Sequence, residues 1–150
     1  MKPLVVLVSV FLISIFAIRL LTQKYDPYLS ARIGMCAMLF FTAIGHFVFT
    51  KGMVLMIPPV VPLKTEIVYF TGFLEILLGI CLLIPGLHTY TGWVLIVFFI
   101  LLIPANIYAS VKHVDYQKAS FDGNGLDYLW FRIPLQFLFI VWTYFSTVRS

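Results

Sequence analysis

Residues 67–111 read IVYFTGFLEILLGICLLIPGLHTYTGWVLIVFFILLIPANIYASV, and Glu75 is the single charge among them. A membrane-spanning helix needs about 20 apolar residues, with about 17–25 the usual range. The stretch is therefore too long for one span. Pro85-Gly86 cuts it, followed by Leu87, His88 and Thr89. Proline and glycine together end a helix and turn the chain. The reading is a tight hairpin of two helices.

Charge punctuates the rest of the chain in the same way. None falls between Pro3 and Ile18 or between Ile33 and Thr50, and from Leu129 to Val148 the one charge is Arg132. Five hydrophobic helices follow, near 4–22, 33–50, 67–85, 90–111 and 129–148. No alternating pattern suggests a membrane barrel. Of the 150 residues, 62% are hydrophobic and 11% charged, and the mean hydropathy is +1.05. A soluble domain carries about 25% charged residues, so disorder, collagen, coiled coil and an ordinary soluble globule are excluded. The ten basic residues are scattered singly, without the patch that a phosphate backbone needs. Nucleic acid is not expected as a partner. The expected fold class is an all-α membrane protein of five transmembrane helices.

The first segment has Lys2 ahead of it, as a signal peptide would. No small-x-small cleavage site follows, since the chain runs Ala17-Ile18-Arg19-Leu20-Leu21-Thr22-Gln23-Lys24. A retained helix is expected. Two connections stand out. Lys51–Glu66 is uncharged from Gly52 to Leu63 and holds Pro58, Pro59 and Pro62. It cannot be one continuous helix, and backbone at membrane depth must be satisfied by protein or water. It is expected to lie over the end of the bundle. Lys112–Tyr128 is polar and carries the turn cluster Asp122-Gly-Asn-Gly125. Tyr69, Tyr90, Trp93, Tyr108, Tyr128, Trp130, Trp142 and Tyr144 fall near helix ends, as an aromatic belt does.

Five spans put the two ends of the chain on opposite sides. One side gathers Lys2, Lys51, Lys64, Lys112 and Lys118, against Arg19, Lys24, Arg32 and Arg149 on the other. The first side is expected to be cytoplasmic.

Ionisable and amide groups inside spans are costly, so each is a functional candidate. They are His46, Glu75, Asn106, Arg132 and Gln136. Counting from the lysine-rich side at about 1.5 Å per residue, Arg132 lies about 5 Å in, His46 about 6 Å, Asn106 about 8 Å, Gln136 about 10 Å and Glu75 about 12 Å. Four helices thus bring polar groups into one half of the bilayer. Thr71 and Glu75 stand one turn apart, as do Arg132 and Gln136. Gly72 and Gly79 allow close helix approach beside Glu75. Pro104 and Pro134 release the Ile100 and Trp130 carbonyls next to the polar groups. Glu75 and Arg132 are expected to share one cluster, either as a structural ion pair with interhelical hydrogen bonds or as a pocket for a ligand or a proton. No metal site is expected, because one His and one Glu are too few ligands. Cys36 and Cys81 lie in different helices without a C-x-x-C, so dithiol chemistry lacks its parts. Walker, G-x-S-x-G, H-E-x-x-H and C-x-x-C-H motifs do not occur.

The run Arg32-Ile-Gly-Met-Cys-Ala-Met-Leu-Phe-Phe-Thr-Ala-Ile-Gly-His46-Phe47 resembles the first core helix of the DoxX-like membrane proteins. So do Met56-Ile-Pro-Pro59, Val68-Tyr-Phe-Thr-Gly72 with Glu75-Ile, Leu82-Leu-Ile-Pro85, Pro104-Ala-Asn-Ile-Tyr108 and Leu129-Trp-Phe-Arg-Ile-Pro-Leu-Gln136. The resemblance implies a four-helix transmembrane bundle over 31–150, with an extra N-terminal transmembrane helix and linker over 1–30, in a bacterial cytoplasmic (inner) membrane. It implies redox-associated work, as in a quinone-reducing thiosulfate oxidoreductase subunit or a membrane partner of thiol-oxidant detoxification proteins. His46, Glu75, Asn106, Arg132 and Gln136 are the positions it carries over. The expected function is an accessory or electron-transfer subunit that takes a quinone-like molecule and meets a redox partner protein or a second copy of itself. The alternatives are a non-redox lipid or small-solute binder or permease, and a purely structural subunit.

Overall fold

A computed structural model of the chain describes residues 2–115, 119–123 and 125–148. The expectations placed on Lys118, Asn124 and Arg149, and on the side chains of Lys2, Asp127 and Tyr128, lie outside what it describes. The protein is an all-α membrane protein. Its helices are α1 (Lys2–Thr22), α2 (Pro27–Val48), the short α3 (Thr50–Leu55), α4 (Lys64–Leu82), α5 (His88–Val111) and α6 (Leu126–Thr143), with α6 running on into a π-helical turn at Tyr144–Val148. Five segments are long and apolar enough to cross a membrane: Pro3–Thr22, Pro27–Val48, Lys64–Leu82, His88–Val111 and Leu129–Val148.

The second span begins six residues earlier than charge punctuation places it. Asp26 caps it by accepting a hydrogen bond from the Leu29 amide at 2.9 Å, and Pro27 occupies the first turn. Proline there loses nothing, because that amide has no helical partner. The division at residue 30 therefore falls inside α2, and the true connection is Gln23–Asp26. The hairpin forms where the Pro-Gly pair puts it. The Leu87 amide donates to the Ile84 carbonyl at 3.2 Å, and Gly86 takes φ +88°, which suits a residue without Cβ.

The segment Gly52–Leu63 starts helical and loses helix at Met56, ahead of its three prolines. Its short helix α3 packs on α4 and α2, Gly52 is buried, and Met56 and Ile57 are half-buried. The first half of the segment thus lies against the helix ends, while Pro59, Val60, Pro62 and Leu63 are exposed. The second connection folds on itself: the Asp115 and Ser120 backbones exchange hydrogen bonds at 2.8 and 3.2 Å, and the Gly123 amide donates to His113 at 2.7 Å.

Helix α2 is the hub, packing against α1, α4 and the π turn, while α5 packs along α6. Met35, Met38 and Leu39 of α2 meet Leu7, Leu78, Leu82, Leu95, Phe98, Phe99, Leu135 and Phe139 in the core. Helix α1 comes close because α2 carries Gly34, where a Cβ would stand 2.9 Å from the Leu7 carbonyl oxygen. Trp142 pins three helices together. Its Nε1 donates to the Ala31 carbonyl at 3.1 Å, and its ring meets Phe11 edge-on at 4.9 Å. It therefore belongs to the packing, whereas Tyr69, Tyr90, Trp93, Trp130 and Tyr144 are exposed, as a belt requires.

Candidate functional site

Two helix pairs hold the candidate residues. In the first, α2 and α4 approach closely over glycine. A Cβ at Gly72 would stand 3.0 Å from His46 Cβ, and one at Gly79 would stand 3.1 Å from the Phe40 ring and 3.5 Å from Cys36 Sγ. This closeness sets His46 Nε2 3.4 Å from Glu75 Oε2. Glu75 is buried, and the side chain of His46 is 13% exposed, so the imidazole is the more reachable of the two.

Two threonines complete this arrangement. Thr42, one turn before His46 on α2, donates to Glu75 Oε2 at 3.1 Å. Thr71, one turn before Glu75 on α4, lies 3.1 Å from His46 Nδ1, and its hydroxyl donates to the Ile67 carbonyl at 3.0 Å. His46 Nδ1 also faces the Val68 carbonyl at 3.1 Å. A carbonyl only accepts, whereas the Thr71 hydroxyl can donate or accept, so Nδ1 meets one acceptor and one group of either kind. The other nitrogen, Nε2, faces the carboxyl group.

In the second pair, Arg132 on α6 donates through an Nη atom to Asn106 Oδ1 on α5 at 2.8 Å. Asn106 is buried, and its Nδ2 makes no hydrogen bond to a described residue. Gln136, one turn further along α6 on the face of Arg132, is also buried and makes no side-chain hydrogen bond to another described residue. Pro104 and Pro134 sit beside these groups within continuous helix.

The structure thus brings His46 to Glu75 and Asn106 to Arg132. Among the described residues no hydrogen bond or ion pair joins Glu75 to Arg132. Glu75 satisfies its carboxyl group with His46 and Thr42, because α4 lies against α2, while Arg132 stands level with Asn106 on α5. Thr42 was overlooked because it cannot ionise, although its spacing of one turn from His46 mirrors that of Thr71 from Glu75.

Buried hydroxyls at the opposite end of the bundle were also overlooked. Ser30, Thr91, Thr143, Ser146 and Thr147 gather there on α2, α5, the end of α6 and the π turn. Thr143, Ser146 and Thr147 bond back to carbonyls of their own turns at 2.8, 3.2 and 2.6 Å, the usual role of such residues inside membrane helices. Cys36 and Cys81 are both free thiols, and among the described residues no cluster of three metal-ligating side chains occurs. A shallow apolar groove runs along α6, lined by Trp130, Phe131, Pro134, Leu135 and Leu138.

Residues 35–147 match the family described as "Domain of unknown function (DUF8561)". The chain belongs to this family. The matched region holds all five candidate residues and both threonines, while α1 lies outside it. No curated protein and no solved structure matches the chain.

Proposed function

We propose that this protein of the DUF8561 family is a DoxX-like, electron-transfer-associated membrane subunit, in which the polar groups receive a quinone-like head group and His46 with Glu75 exchanges protons with it. The observation that carries the reading is the His46–Glu75 pair, with its outer nitrogen fixed by Val68 and Thr71 and its carboxyl group held by Thr42. An imidazole in contact with a carboxyl group is a pair whose members can both accept and release a proton. Reduction of a quinone takes up protons along with electrons. The electrons would come from a redox partner protein, and the histidine, as the more exposed member, would face the ligand. Asn106 and Arg132 would donate to the quinone oxygens. The bacterial inner membrane is the proposed location.

The test is chemical reduction of a short-chain benzoquinone bound to the purified protein, with proton uptake followed by an indicator dye. Reduction takes up two protons per quinone in either protein, so the readout is the rate: wild type is expected to take up protons in step with reduction, and Glu75→Gln to bind the quinone but take them up more slowly. Equal rates in both would overturn the role given to the pair.

A further inference from the structure

We propose that the Asn106 amide is a docking point for a carbonyl oxygen, so that the ligand held between α5 and α6 is a neutral carbonyl compound. This deepens the proposed function and rests on its premise that the polar groups receive a small molecule. The amide's orientation is fixed by its neighbour. A guanidinium has donors and no acceptor, so it must face the amide oxygen, and Arg132 does so at 2.8 Å. The Nδ2 edge is thereby turned away from Arg132 with both of its hydrogens. It is buried and makes no hydrogen bond to a described residue.

A buried donor without an acceptor is unfavourable anywhere, and more so in a helix of this hydropathy, where water is scarce. Flipping the amide would not help, because it would set two donors against each other at Arg132. What completes the group is an acceptor oxygen. The Arg132 charge lies on the oxygen side of the amide, and the Nδ2 edge is itself a neutral donor. It matches a carbonyl, which enters an apolar region at far lower cost than a carboxylate.

Two sources present this chemistry: the carbonyl of a quinone ring and the ester carbonyl of a phospholipid. The experiment places the full chain in nanodiscs and follows the nitrogen-15 resonance of the Asn106 side-chain amide, assigned by its loss in Asn106→Asp. One sample uses ester lipids, a second uses ether lipids without carbonyls, and a third adds a short-chain benzoquinone to the ether-lipid discs. The expected result is a saturable shift of the amide signal on adding the quinone. Binding is then weakened about tenfold in Asn106→Asp, which keeps an oxygen for Arg132 but loses the donor. A signal that differs between ester and ether lipids and ignores the quinone assigns the site to the lipid ester, and the carbonyl docking point stands. An amide signal that is the same in all three samples overturns the proposal. So does quinone binding as tight in Asn106→Asp as in wild type. The wild-type signal needs no variant to fold. Slower proton uptake in Glu75→Gln is read separately, so failure of the proton role and failure of this docking point are distinguishable.

Discussion

A carbon placed on Gly72 would stand 3.0 Å from the Cβ of His46. That closeness is what lets an imidazole on α2 reach a carboxyl group on α4, so the glycine belongs to the site as much as the groups that titrate. Gly72→Val should cost about 1–3 kcal/mol, the usual penalty for overpacking, and should separate His46 from Glu75. Gly45→Ala is the control, because its nearest neighbour is the flexible end of Met53 at 3.5 Å. There the gain in helix propensity, about 1 kcal/mol at most, should leave stability equal or improved. Thermal unfolding of the two variants in detergent checks the difference.

Trp142 should show a graded response. Trp142→Phe removes the hydrogen bond to Ala31 and keeps an aromatic ring, so the loss should be about 0.6 kcal/mol, the average for such bonds in membranes. Trp142→Ala also removes the contact with Phe11 and should cost about 3–5 kcal/mol. Helix α1 should then loosen first, which limited proteolysis at Gln23–Asp26 would report as faster cleavage.

Topology gives a third expectation. One span, Leu129–Val148, separates the connection after α5 from the end of the π turn and places them on opposite sides. Reporter fusions within 119–123 and after Val148 should therefore give opposite signals, with the lysine-rich side, that of 119–123, cytoplasmic. Signals from one side would mean that this last segment does not cross.

The spans were legible because each is an uninterrupted apolar run closed by charge, proline or glycine. The starts of α2 and α4 were not, since Arg32, Lys64 and Glu66 are charged yet lie within helices. The cap at Asp26 and the proline after it were a better signal for α2 than the charge. The candidate residues were legible too, because ionisable groups are rare in spans. Their partners were not. Pairing depends on which helix lies beside which and how each is rotated, and apolar residues on every face of these helices leave little pattern to fix either. Hence the depth count could place Glu75 and Arg132 in the same half of the bilayer, while the approach of α2 to α4 over Gly72 gave Glu75 to His46.

The central claim is that His46 and Glu75 hold a proton that a bound ligand can use. The rate of proton uptake during reduction of a bound short-chain benzoquinone measures it directly, in wild type and Glu75→Gln side by side. The amide keeps the shape of the glutamate and cannot titrate. The account predicts uptake in step with reduction in wild type and slower uptake in the variant, with quinone binding retained. Rates that are the same in both proteins would contradict it.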